Sequence, residues 1–190
     1  MIDASLWETA VELRRYLESC NYSFCVIGGI AIQRWGEPRL TQDVDVTLVV
    51  QFGSERQIAQ EILKRYQSRV SNPIEFALQA RILLLKDQAG NKIDLALGGM
   101  PYEQRCIERS SLWGTPSSGK IRTCSAEDLV VLKAFANRPQ DWIDIDNITI
   151  RQGKKLNREL ILNELRPLVE LKEEPEILDH LNRLLKSFSF

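Results

Sequence analysis

Asp43 and Asp45 lie two positions apart in the segment DVDVTLVV. On a β-strand that spacing puts both carboxylates on one face, with their Cα atoms ~6–7 Å apart, and turns Val44 and Val46 to the other face. Two carboxylates so placed can converge on a hard divalent cation, which prefers oxygen ligands and keeps part of its hydration. A third acidic residue, Asp94, is embedded in KIDLALG between Ile93 and Leu95. Burying a carboxylate among apolar neighbours is costly unless a positive group compensates it. Taken singly, each Asp also fits a solvated position on an exposed sheet face, where acidic residues are mostly found.

A second chemical feature precedes the acidic strand. FCVIGG is a short apolar run that stops at Gly28 and Gly29, and IAIQRWG continues as a short helical stretch. Backbone N–H groups at such a helix N-terminus can approach a phosphate without obstruction by a Cβ. A glycine pair alone is equally a tight strand-to-helix turn. Here 13 residues separate Gly29 from Asp43, so the two strands can be neighbours joined through the short helix. Phosphate donors beside paired carboxylates are the parts a metal–nucleoside triphosphate needs.

The elements that must position these groups follow from periodicity. Leu6, Ala10, Leu13 and Leu17 form one helical face, with Asp3 or Ser5 as N-cap. Ile58, Ile62, Leu63 and Tyr66 mark a helix opened by Ser54. A short strand is expected around Val70, and a helix begins with Pro73 at its first position. RILLLKD, the turn QAGN and KIDLALG form a hairpin, and GKIRTCS is a further strand. SAEDLVVLKAFANR opens with Ser125 and an acidic residue three positions on, a capping-box-like start. Another helix runs from Pro139 to about Ile150. From Gly153 onward Ile161, Leu165, Leu168, Ile177, Leu181, Leu184 and Phe188 fall on helical faces with no strand between them. The expected class is therefore α/β (α+β): a mixed sheet flanked by helices over residues 1–152, and a C-terminal helical extension, 153–190, packed on it.

Composition removes competing chemistries. The single histidine, His180, excludes Ser-His-Asp triads and multi-histidine metal sites. Cys20, Cys25, Cys106 and Cys124 form no C-x-x-C pair and fit reduced, mostly buried thiols. With 25 Lys+Arg against 26 Asp+Glu, the chain has no overall basic surface for nucleic acid, although a local patch survives the arithmetic. Arg14-Arg15 and Lys154-Lys155 are its basic pairs, and both fit solvated helix positions. No apolar run is long enough to span a membrane and the first residues read as an amphipathic helix, so a soluble, cytoplasmic protein is expected. Trp35, Trp113 and Trp142 can stack a base but fit core positions better.

VIGGIAIQRWGEPRLTQDVDVTL resembles the signature of the DNA polymerase β-like nucleotidyltransferase superfamily: a glycine turn and helix, an acidic-x-acidic strand, and a later acidic strand residue. Within it, Arg39, Thr41, Asp43 and Asp45, with SAEDLVVLKAFANRPQDWIDI, are similar to the AbiEii-type toxin nucleotidyltransferases. The resemblance spans roughly residues 22–150 and implies the minimal nucleotidyltransferase fold. It implies that Asp43, Asp45 and Asp94 are catalytic and bind Mg2+, that Gly28 and Gly29 hold an NTP triphosphate, and that Arg39, Thr41, Lys133 and Asp141 stand on the nucleotide side. Arg39 and Arg138 are equally surface charges or partners for acidic groups, and Asp144, three residues after Asp141, is a weaker candidate. The implied reaction moves a nucleoside monophosphate from an NTP to an acceptor hydroxyl on tRNA or another RNA 3′ end, or on protein. The same resemblance extends to a toxin role in a toxin–antitoxin or phage-defence system, with an antitoxin as partner. The alternative is a non-catalytic nucleotide- or nucleic-acid-binding module with the same fold.

Overall fold

A computed structural model describes residues 2–188. The apolar spacing near the N-terminus becomes helix α1 (Ala4–Ser19), and Asp3 is its N-cap, accepting the Ser5 N–H at 2.8 Å. β1 (Phe24–Val26) ends just before α2 (Gly28–Trp35), and β2 (Asp43–Val49) follows. α3 (Glu55–Leu63) starts after Ser54, whose side chain makes no capping bond. The next strand, β3 (Gln67–Ser68), lies slightly before the expected position at Val70. α4 (Pro73–Ala80), β4 (Ile82–Lys86) and β5 (Lys92–Gly98) match the proline start and the hairpin.

Two elements had no counterpart in the sequence reading. α5 (Pro101–Glu108) carries its own start signal, because Pro101 is at the first helical position and Glu103 accepts the Met100 N–H at 2.7 Å. β6 (Ser111–Thr115) is an exposed edge strand with Gly114 at φ +125°, too short and mixed to show alternation. β7 (Gly119–Thr123) then leads to α6 (Ala126–Ala136), where Ser125 Oγ accepts the Asp128 N–H at 3.0 Å as the capping pattern implies. α7 (Pro139–Gln152), α8 (Arg158–Lys172) and α9 (Glu176–Ser187) complete the chain. No helix among the described residues is long and apolar enough to cross a membrane.

The seven strands form one mixed sheet in the order β3-β4-β5-β2-β1-β7-β6. β2 pairs antiparallel with β1 and parallel with β5, and β4 pairs antiparallel with β5. Val44, Val46, Leu48, Leu83, Leu85, Ile93, Leu95 and Leu97 all point to one face and are fully buried. They share a core cluster with Leu6, Ala10, Leu13 and Leu17 of α1 and Ala59 and Ile62 of α3. Packing therefore follows from period two in the strands meeting a 3.6-residue period in the helices.

By contacts the chain divides into two units, Met1–Ile30 with Leu40–Cys124, and Ala31–Arg39 with Ser125–Phe190. The whole sheet belongs to the first. The second is helical, with α8 and α9 packed on α6. The sequence-based boundary at residues 152 and 153 falls inside this second unit. Leu95 is fully buried at the centre of the sheet's core face. Leu95→Ala is expected to destabilise the protein by about 2–5 kcal/mol through lost burial and the cavity left behind, read by urea unfolding.

Candidate functional site

On the opposite face of the sheet the parallel β2–β5 register places Asp45 directly against Asp94, with Asp43 opposite Lys92. Asp43, Asp45 and Asp94 each offer one carboxylate oxygen, and these three atoms all lie within 4.8 Å of one another. All three residues are half-buried. The three carboxylates named from the sequence are thus gathered into one cluster by strand pairing.

Like charges directly opposite in a sheet cost roughly 0.2–1 kcal/mol per pair, so the cluster needs compensation. One compensating group was not foreseen: Arg69, whose guanidinium bonds Asp94 Oδ1. Arg69 immediately follows β3, and its backbone N–H bonds Leu84 O at 2.9 Å, while Leu84 is the register partner of Asp94. Its position is set by two strand pairings, and no local spacing in the sequence reports it. Burial pushes the Asp94 carboxyl above its usual value, the Arg69 cation opposes that rise, and the Asp43 charge adds to it.

The glycine turn lies against the same cluster. Gly28 has φ +59°, and a Cβ there would overlap the Asp45 carboxylate. A Cβ on Gly29 would overlap Thr41 Oγ1. Gly29 N–H points toward Asp45 Oδ2 at 3.4 Å, and Thr41 Oγ1 lies 3.4 Å from Asp43 Oδ1. Gly28, Gly29, Thr41 and the three aspartates therefore form one constellation within the first unit.

The donor set is all oxygen. Carboxylate oxygens are the donors a hard divalent cation such as Mg2+ prefers, so Asp43, Asp45 and Asp94 are the residues that would hold one.

Lys133, Asp141 and Arg39 lie in the second unit, where they form a different cluster. Lys133 Nζ donates to Asp141 Oδ1 at 2.8 Å and meets Asp144 Oδ2 at 2.6 Å. Arg39 grips Asp144 with both arms of its guanidinium, at 2.9 and 3.0 Å, and Arg138 Nε donates to Asp141 at 2.6 Å. Asp141 and Asp144 are each 1% exposed and Lys133 5%. Burial raises both carboxyls. Hydrogen bonds from Arg138 and Lys133 to Asp141, and from Arg39 and Lys133 to Asp144, outweigh it and hold both below the usual range. The i, i+3 spacing of Asp141 and Asp144 was legible as one helix face; the convergence of Lys133 and Arg39 on it was not. Among the tryptophans, Trp142 stacks on His180 at 3.9 Å, Trp35 takes the Arg34 guanidinium at 4.1 Å, and Trp113 packs edge-on against Trp7.

A family profile described as "Nucleotidyltransferase of unknown function (DUF6036)" matches residues 4–173. The chain belongs to this nucleotidyltransferase family. Its fold is similar to that of an antigenic nucleotidyltransferase-like protein from Paracoccidioides brasiliensis, 17% identical over 92% of each chain with a TM-score of 0.52. Weaker likenesses are to the lincomycin-bound lincosamide antibiotic adenylyltransferase LnuA, 15% identical over 73% of this chain and 92% of that one, TM-score 0.47. The antibiotic-resistance factor ANT(2'')-Ia is 14% identical over 93% of this chain and 95% of that one, TM-score 0.49. No curated protein matches the sequence.

The buried ion cluster of this nucleotidyltransferase carries a stability prediction with a defined sign. Because the native carboxyls of Asp141 and Asp144 are depressed, their contribution is complete above the ordinary carboxylate pKa of ~3.9 and is lost as pH falls through the native values. Lys133→Met, which takes one of two cationic partners from each of two buried carboxylates, is expected to cost about 3 kcal/mol at neutral pH and to flatten the acid limb of the stability profile, measured by urea unfolding across pH.

Proposed function

We propose that Asp43, Asp45 and Asp94 hold Mg2+ and that the protein transfers a nucleoside monophosphate from an NTP to an acceptor hydroxyl. The observation that supports this is the convergence of three strand carboxylates, within 4.8 Å, beside a glycine turn at a helix N-terminus. Bound magnesium supplies charge neutralisation for the phosphates and the leaving group. The amides of Gly28 and Gly29 receive phosphate oxygens in this reading, in a turn where Asp45 and Thr41 leave no room for a Cβ. Asp94, its basicity raised by burial, takes the proton of the attacking hydroxyl as its oxygen bonds the α-phosphorus. The α–β phosphoanhydride bond breaks and pyrophosphate leaves in line with the attack. The chemistry needs no histidine.

Arg39, Thr41, Lys133 and Asp141 belong to the nucleotide side in this reading. Its support is the sequence pattern, and for Thr41 also its contact with Gly29 and Asp43. The similarity of Arg39, Thr41, Asp43 and Asp45 to AbiEii-type proteins supports a toxin role, with an antitoxin as partner. Induced expression is then expected to arrest growth, and Asp43→Asn to relieve the arrest; growth unaffected by the intact chain argues against it.

Incubating the protein with each α-labelled NTP, Mg2+ and total cell RNA is expected to transfer label to a macromolecule. Asp43→Asn with Asp45→Asn is expected to reduce transfer at least ~100-fold with an unchanged circular dichroism spectrum. Retained activity in this variant sinks the site, and binding of NTP with no transfer to any acceptor favours a non-catalytic module. Gly28→Ala forces a side chain into the Asp45 carboxylate at positive φ. It is expected to weaken Mn2+ binding about tenfold, equivalent to ~1.4 kcal/mol, in a titration monitored by electron paramagnetic resonance.

A further inference from the structure

The sheet face that carries the three aspartates is electrically lopsided. Toward β1, Asp45 is flanked by the Gly28–Gly29 turn. Toward the β3 edge, the row through Asp43 continues as Lys92, Lys86 and Gln67 by strand register, and the row through Asp94 continues as Leu84, whose carbonyl is bonded by Arg69. Lys86 and Lys92 are directly opposite each other. Their neighbours Leu85 and Ile93 are fully buried on the core face, so alternation puts both lysines on the face of the carboxylates. A lysine pair directly opposed in a sheet is a like-charge cost, which the attraction between Lys92 and Asp94 offsets for Lys92 and not for Lys86. Neither ammonium forms an ion pair among the described residues.

In-line phosphoryl transfer fixes how the two substrates approach. The leaving pyrophosphate and the attacking hydroxyl occupy opposite sides of the α-phosphorus. With phosphates received at the glycine turn on the β1 side, the acceptor reaches Asp94 from the β5–β4–β3 side. That approach crosses Lys92 and Lys86, on strands ~4.8 Å apart, and passes the Arg69 guanidinium held against Asp94. An anionic strand matches this row, whereas a cationic or neutral small acceptor gains nothing from it.

We propose that the acceptor is a single-stranded RNA end whose phosphodiester backbone crosses the sheet over Lys92 and Lys86, delivering its terminal hydroxyl to Asp94. The proposal rests on the nucleotidyl-transfer reading above, from which the direction of attack is taken. It reconciles an RNA acceptor with a formal net charge of −1, because the footprint is local.

The test is fluorescence anisotropy with a short labelled single-stranded RNA across a salt series, using the full chain, K86Q/K92Q, K86R/K92R and K154Q/K155Q. Loss of two phosphate contacts is expected to weaken binding by tenfold or more at low salt and to reduce the slope of log affinity against log salt by ~1.4, at ~0.7 per contact on a single strand. The arginine pair and the Lys154/Lys155 variant are expected to bind as the parent does. Affinity of Mg2+–NTP for K86Q/K92Q, measured by calorimetry, is expected to equal that of the parent. Unchanged RNA affinity and salt slope in K86Q/K92Q with NTP binding intact overturns the acceptor proposal alone, as does transfer of label to protein and not to RNA. Absence of NTP binding in the parent overturns it together with the reading beneath it.

Discussion

Three carboxylates must share one face of a sheet within 4.8 Å, and the rest of the first unit is arranged around that repulsion. The parallel β2–β5 register creates it by setting Asp45 against Asp94. The same register cannot slip by one residue to relieve it, because a slip exchanges the two faces and drives Asp43, Asp45 and Asp94 into the layer now filled by Val44, Val46, Ile93 and Leu95. The apolar face therefore holds the acidic face together. Parallel pairing also requires a long connection between β2 and β5, and that connection carries β3, β4 and Arg69. The compensating cation is thus delivered by the topology that causes the repulsion.

Carboxylates are handled differently in each unit. In the second unit Asp141 and Asp144 are almost completely buried and each is bonded by two cationic side chains, so both are held ionised and saturated. In the first unit Asp94 has one arginine and remains partly exposed, and its carboxyl is pushed up instead of down. A saturated cluster stabilises a fold and has little capacity left for a ligand cation. An under-compensated one retains that capacity, which is the electrostatic condition for a metal and nucleotide site.

The asymmetry of the acidic face gives this family member a direction. Backbone donors at a glycine turn flank Asp45 on one side, and a row of side-chain cations flanks Asp43 and Asp94 on the other. Near-neutral total charge conceals this, since the lysines and aspartates cancel in the sum while remaining segregated on the sheet.

Much of the candidate site's geometry was legible because its signals are local. The D-x-D alternation, the glycine pair before a helix and the acidic residue inside KIDLALG each depend on neighbours within a few positions, and backbone periodicity converts such spacing directly into shared faces. The Ser125 cap and the Pro73 and Pro139 helix starts were readable for the same reason. α5 and β6 escaped, the first although Pro101 and Glu103 mark its start, the second because a short edge strand with a positive-φ glycine has no alternation to detect. What only tertiary structure decided is pairing across distance. Asp94 faces Asp45, Arg69 reaches Asp94, Lys86 opposes Lys92, and Lys133 and Arg39 converge on Asp144, because strand register and helix packing are set by the whole core. The sequence by itself determined which residues share a face; the packed core decided which faces and charges meet.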